Sequence, residues 1–206
     1  MFQLSPDLHF PITGPKAPDG IVWEFGQHWN AQAEAEFAPG RVSLGRRDSD
    51  LLVFADLEDR HVMEDVFPMN HTAFLTCDAF EIFLGSTADT VYHEFHVTPS
   101  NSLLQLRFDT AGTRRDLKDH AVEAPLFSSR TWSTGNGWRV LARIPLVPLT
   151  GSIDAPLRLS FGRYDHTPGL ASPVLSSTSP HKITNFHRLE EWRTVNFAAL
   201  PSVETE

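Results

Sequence analysis

Apolar residues in this chain recur in short runs of β-branched, aromatic and leucine side chains, each closed by Gly, Pro, Asp or Asn. That spacing constrains the fold more than any other feature, because a strand buries alternate residues whereas a helix needs apolar positions every three and four. Only AQAEAEFA at 31–38 carries helical spacing, and it reads as a short helix or equally as loop. Strands are expected at 21–25, 41–47, 51–57, 80–85, 92–98, 103–108, 138–144, 157–164 and 192–197. Turn residues separate them: Arg47-Asp48-Ser49-Asp50, Gly85-Ser86, Pro99-Ser100-Asn101 and Gly135-Asn136-Gly137. The expected fold is therefore all-β, a two-sheet antiparallel β-sandwich, immunoglobulin- or jelly-roll-like, with at most one short helix. A chain of 206 residues reads as a single domain spanning 1–206. The two long connections, 56–77 and 167–185, are of the length that usually carries function.

Charge narrows the partners. With 17 basic and 26 acidic residues the net charge is −9, and the clustered Lys and Arg that a phosphate backbone requires are missing, so no nucleic-acid partner is expected. No apolar stretch approaches the roughly 20 residues of a membrane span, so no membrane partner is expected either. The opening MFQLSPDLHF has no basic region followed by an apolar run, so no signal peptide is visible. The expectation is a cytoplasmic protein or a processed secreted one. The single cysteine, Cys77, rules out an internal disulfide and a thiolate zinc cage, and it reads as a buried, inert thiol. Exposed edge strands leave the oligomeric state open.

Catalytic motifs are missing: there is no G-x-S-x-G elbow, no phosphate loop, no G-x-G-x-x-G and no H-E-x-x-H. His93 and His96 would share a face on a helix, but in an extended run they point apart. His61 with Glu64 and Asp65 would hold an ion only if their loop curls, and free loop polarity is the commoner explanation. Asp48 and Asp50 resemble half of a calcium loop while also being ordinary turn residues. No cofactor is expected to be required, calcium is a possible ion, and no metal ligands are assigned from the sequence.

Strand parity gives the useful signal. On 80–84, Glu81 and Phe83 oppose Phe80, Ile82 and Leu84; on 92–98, Tyr92, Glu94 and His96 oppose His93, Phe95 and Val97. On 104–108, Gln105 and Arg107 alternate with Leu104, Leu106 and Phe108. If these strands are hairpin neighbours, one face is apolar and the other carries Glu81, Phe83, Tyr92, Glu94, His96, Gln105 and Arg107. Carboxylates, an amide, a guanidinium, an imidazole and aromatic rings suit a polyhydroxylated ligand. An ordinary solvated face with cross-strand ion pairs fits the same pattern.

The run Cys77-Asp78-Ala79-Phe80-Glu81-Ile82-Phe83-Leu84-Gly85, followed by Tyr92-His93-Glu94-Phe95-His96-Val97-Thr98-Pro99, resembles the core signature of family 9 carbohydrate-binding modules. Asp50-Leu51-Leu52-Val53-Phe54-Ala55-Asp56 is similar to the strand before that family's first long loop. The segment 138–145, Leu159-Ser160-Phe161-Gly162-Arg163 and Asn185-Phe186-His187-Arg188-Leu189-Glu190-Glu191-Trp192 resemble later family strands in order, so the likeness runs from about 29 to 197. It implies a β-sandwich. It also implies a sugar gripped between two tryptophans, where this chain offers Phe67, His71 and Phe74 in the first loop and no aromatic in Leu175-Ser176-Ser177-Thr178-Ser179-Pro180. Glu81 matches the family's glutamate, and His96 stands where an arginine contacts sugar.

The expected function is a non-catalytic carbohydrate-binding domain with weak or altered recognition, its ligand contacts drawn from Phe74, Glu81, Tyr92, Glu94, His96, Arg107 and Arg163. Arg163 reads equally as a partner for a sheet acid. Two alternatives stand beside it. One is a DOMON-like b-type haem domain using Met63 or Met69 with His71, His93 or His96. The other is a glycosidic-bond hydrolase using Glu81 and Glu94. Among the tryptophans, Trp138 and Trp192 read as packing, Trp23 and Trp29 as closing one sandwich end, and Trp132 as the most exposed.

Overall fold

The structure is a computed structural model that describes residues 20–109 and 116–203. One antiparallel sheet has the order β1-β2-β3-β8-β7, built from β1 (Val22–Glu24), β2 (Gly40–Arg47), β3 (Asp50–Glu58), β7 (Ser128–Thr134) and β8 (Gly137–Pro145). The second runs β10-β9-β4-β5-β6, from β4 (Ala79–Ser86), β5 (Tyr92–Val97), β6 (Leu103–Phe108), β9 (Leu157–Asp165) and β10 (Val174–Ser177). β11 (Arg193–Val195) pairs with the first half of β9, whose second half pairs with β10. One short helix, α1 (Val147–Thr150), ends at Gly151, whose φ of 73° is the left-handed turn that glycine adopts without steric cost. The fold is the expected β-sandwich.

Local chemistry explains the hairpins. Arg47 faces Asp50 across a two-residue turn in which Asp48 takes a φ of 51°, a conformation aspartate tolerates better than most residues. Gly135-Asn136 joins Thr134 to Gly137 in the β7–β8 hairpin. Strand β7 escaped the sequence reading because its SSRTWST pattern lies at a sheet edge with little apolar content. The run at 31–38 forms turns and bends instead of a helix. Residues 31–36 are exposed and bury no apolar face, so nothing offsets the cost of helix nucleation. The Gln27 carboxamide organises the loop instead, accepting from Glu34 N at 2.7 Å and donating to Leu175 O at 2.8 Å. The expected strand at 192–197 shortens to Arg193–Val195, because the Asn196 side chain accepts from Ala198 N and starts a 3₁₀ turn at Phe197–Ala199.

Between the sheets, Val42, Leu44, Val53, Trp138 and Val140 meet Phe80, Ile82, Phe95, Leu159 and Phe161. The second sheet is buried on its other face too: Phe83, Tyr92, Leu104, Leu106, Phe108, Phe186 and Trp192 form a separate apolar cluster there. Trp29 packs into this outer cluster, 6.0 Å from Phe186, so it does not close the sandwich end with Trp23. Trp132 is half-buried on the outer face of the first sheet beside Leu52, Phe54 and Leu141. Among the described residues, no helix is long and apolar enough to cross a membrane.

Arg163 lies inside the sandwich and does not face a ligand site. Phe80 is its cross-strand partner whereas Glu81 faces Gly162, so the two side chains leave opposite faces of the sheet. The fully buried guanidinium donates to Ala38 O at 3.2 Å and Glu58 O at 2.6 Å, and it contacts Asp59 at 3.3 Å and Asp165 at 3.0 Å. Asp59, Asp78 and Asp165 present oxygens within 4.8 Å of one another. Burial, reinforced by the neighbouring Asp59 charge, pushes Asp78 up to about 8. Burial raises Asp165 to about 6 even though Arg163 opposes the shift.

Two outcomes follow for stability. R163M leaves buried carboxyls without their cation and is expected to cost about 3–5 kcal/mol in chemical denaturation. Unfolded aspartates ionise near 3.8, so between that value and about 8 the folded chain holds protons the unfolded chain has released. Stability therefore falls as pH rises through this window: the Tm is expected to be higher at pH 5 than at pH 8, with a flatter slope in D78N.

Candidate functional site

The outer face of the second sheet carries one polar group of side chains. Register places Glu81 opposite His96 and Phe83 opposite Glu94, so adjacent strands β4 and β5 project two carboxyls and an imidazole to the same side. His96 Nε2 lies 2.5 Å from Glu94 Oε1 and 3.2 Å from Glu81 Oε1. The exposures are 2% for Glu81, 4% for Glu94 and 3% for His96, so all three have lost their water. Burial and the Glu94 charge hold Glu81 well above the usual carboxylate range, against the pull of His96. Burial acts on Glu94 in the same sense, but the His96 hydrogen bond and charge, with His187, outweigh it and hold Glu94 low. His96 is raised because the two carboxyls outweigh its own desolvation. The pair therefore presents a protonated donor and an ionised acceptor side by side.

A pocket of about 290 Å³ opens above this floor. Glu81, Phe83 and Glu94 line its base, and Phe74, Tyr164, Leu175, Leu117 and Phe186 form its walls. Thr184, Asn185 and His187 complete the lining, with Thr184 and Asn185 exposed. Phe74 stands edge-on to Tyr164 at 5.2 Å and 5.0 Å from the His96 ring. Gly162 makes the approach of Phe186 feasible: a Cβ there would lie 2.6 Å from Glu81 Oε2 and 2.8 Å from the Phe186 ring.

The loop carrying Phe186 and His187 is tied down at its root. Ser160 Oγ, His181 Nε2 and Glu191 line up as hydroxyl, imidazole and carboxylate, with spacings of 3.4 and 3.1 Å. Ser160 and His181 are fully buried and none of the three lines the pocket, so the chain of contacts serves as an anchor. Glu191 also pairs with Arg188 at 2.9 Å and accepts from Lys182 N, and Arg188 beside it holds its carboxyl down at about 2. Trp192 Nε1 donates to Phe186 O at 2.7 Å.

Of the residues the sequence singled out, Phe74, Glu81, Glu94 and His96 come together here. Tyr92 lies on the same face but behind the pocket, stacked on Phe108 at 4.7 Å with its hydroxyl 2.9 Å from His187 Nδ1. Arg107 departs: it faces His93 on the opposite side of the sheet and pairs with Asp109. Gln105 shares that side and bonds Val122 O, Ala124 O and Leu126 N. Phe67 and His71 stack on each other at 4.3 Å outside the pocket lining. Met63 and Met69 do not line the pocket, and His93 is buried on the inner side of β5. Among the described residues, groups of three ligand-type atoms within 4.8 Å occur at Glu81–Glu94–His96 and Asp59–Asp78–Asp165, away from His61, Glu64 and Asp65. Asp50 is paired with Arg143, and Asp48 is exposed in its turn. Cys77 is a buried free thiol whose pKa burial raises.

Sequence reasoning missed Tyr164 and Phe186. Tyr164 was legible, since it alternates with Arg163 on β9 and so had to face outward with Gly162. Phe186 sits in a loop, where no periodicity reports direction.

No family model matches the chain, and no curated protein matches it. Solved structures do. A candidate carbohydrate-binding protein from Bacteroides uniformis is similar at a TM-score of 0.63 and 16% identity, covering 76% of this chain and 77% of that one. A family 9 carbohydrate-binding module from Caldicellulosiruptor kristjanssonii in complex with cellotriose is similar at a TM-score of 0.59 and 17% identity, covering 88% and 83%. The glucose complex of a family 9 module from the same organism gives 0.58 and 17%, covering 85% and 82%. The fold is thus that of family 9 carbohydrate-binding modules.

G162A tests the packing that brings wall and floor together. The added methyl has to displace Glu81 or Phe186, and an overpacking cost of about 1–3 kcal/mol is expected in urea denaturation.

Proposed function

We propose that this protein is a non-catalytic carbohydrate-binding domain that takes a small sugar or a chain end in the pocket over β4, β5 and β9. The carrying observation is the union of a dry carboxyl pair with aromatic walls in one cavity of about 290 Å³. That is at the small end of the roughly 300–1,000 Å³ typical of small-molecule sites. Glu81 as donor and Glu94 as acceptor match neighbouring hydroxyls, while Phe74 and Tyr164 offer apolar surface to the C–H face of a ring. Two similarly folded structures hold cellotriose and glucose, which supports the ligand class. Recognition is weak, because phenylalanine and tyrosine provide less stacking area than a pair of tryptophans.

Calorimetry against glucose, cello-oligosaccharides and the hits of a glycan array is expected to give a Kd between millimolar and micromolar. E81A abolishes binding. F74A weakens it about tenfold, as loss of ~1–1.5 kcal/mol of ring contact predicts, and R107A leaves it unchanged because that side chain faces away. An array and calorimetry without any ligand overturn the reading, and release of shorter sugars during incubation replaces it with hydrolysis.

A further inference from the structure

The geometry points to a divalent transition-metal site, which we assign to zinc, formed by Glu81 and Glu94 at the pocket floor with His96 beside them. This inference goes beyond the sugar reading and does not depend on it. Three donors from two strands already converge: the carboxyl oxygens lie 3.2 and 2.5 Å from a single imidazole nitrogen. All three belong to the interior of a hydrogen-bonded sheet, where rotamers are fixed by packing. Ligands about 2.0–2.1 Å from a tetrahedral zinc stand roughly 3.3 Å apart. The Glu81–His96 spacing meets that, and Glu94 needs only to move outward by under about an ångström.

A second observation points to an occupant. Glu81 Oε2 and Glu94 Oε2 are buried and have no hydrogen-bond partner. Among the described residues, the only basic side chains in ion-pair reach of these two carboxyls are His96 and His187. Buried carboxyls ordinarily have a partner or bind a metal. His187 Nε2 lies 3.7 Å from Glu94 Oε2 and its Nδ1 is held by the Tyr92 hydroxyl, the outer contact that commonly orients a metal-bound imidazole. It is placed to orient Glu94 from the outer shell, and the fourth tetrahedral position is left open towards the pocket. Mixed imidazole and carboxylate donors favour zinc and its transition-metal neighbours over magnesium or calcium, which prefer all-oxygen shells.

The test uses the full chain, stripped with a chelator and titrated without sugar. Zinc chloride is expected to bind at one equivalent per chain by calorimetry, with a micromolar or tighter Kd, while calcium chloride gives no comparable heat. Cobalt(II) is expected to produce visible d–d bands of a tetrahedral nitrogen–oxygen site without a thiolate charge-transfer band. E81Q and H96N each weaken zinc at least tenfold, while H61A and H71A, on the surface, leave it unchanged. The proposal is overturned if the wild-type chain shows neither zinc heat nor a cobalt spectrum. It is equally overturned if E81Q and H96N bind like wild type, if H61A or H71A removes the site, or if a thiolate band implicates Cys77. Should a variant fail to fold, the wild-type cobalt spectrum still decides. Because the titration contains no sugar and the glycan assays need no metal, either idea can fail alone.

Discussion

Burial of the second sheet on both faces is the constraint from which the rest of the structure follows. An ordinary sandwich leaves each outer face to water, but here loops bring Phe186, Trp192, Leu117 and Leu189 over β4, β5 and β6. A face that carries Glu81, Glu94 and His96 is thereby dried. Loss of water raises the proton affinity of both carboxyls, the His96 contact reverses that for Glu94, and the same apolar cover supplies the pocket walls. Site chemistry and outer-layer packing are one phenomenon seen from two sides.

That double burial also decides what could be read in advance. On β4 and β5 alternation is clear, because Phe80, Ile82, Phe95 and Val97 face the other sheet while the charged residues face away, and Glu81, Glu94 and His96 were placed correctly. On β6 the same logic inverted the strand. Leu104, Leu106 and Phe108 are its apolar set, but they join the outer cluster, while Gln105 turns to the 122–126 segment. When both faces of a strand are covered, apolar alternation does not say which cover is which. Arg163 was legible and misread: it shares parity with Leu157, Leu159 and Phe161, all buried between the sheets. Loop residues such as Phe186, Thr184 and Asn185 had no periodicity to place them.

Two buried polar clusters lie on opposite faces of the β4–β9 pair, and they are solved differently. Beside Asp59 and Asp165 a guanidinium supplies the cation, and it also donates to the carbonyls of Ala38 and Glu58, tying β9 to the open end of the β2–β3 hairpin. That cluster is architectural. Around Glu81 and Glu94 no guanidinium intervenes, carboxyl oxygens stay unpaired, and a cavity meets them. The distinction follows from one residue of register, Gly162 against Arg163, and it separates a joint in the frame from a surface able to meet a guest.

The latch at Ser160, His181 and Glu191 has a further consequence. It fastens the root of the segment that ends the pocket, while Thr184 and Asn185 at the tip stay exposed, with the Asn185 side chain accepting from His187 N. Exchanging Thr184 therefore alters the lining of the cavity mouth while the latch and the Asn185–His187 bond stay in place. A chain organised this way can drift in its preference for guests, through changes at its crest, while its foundations stay constant.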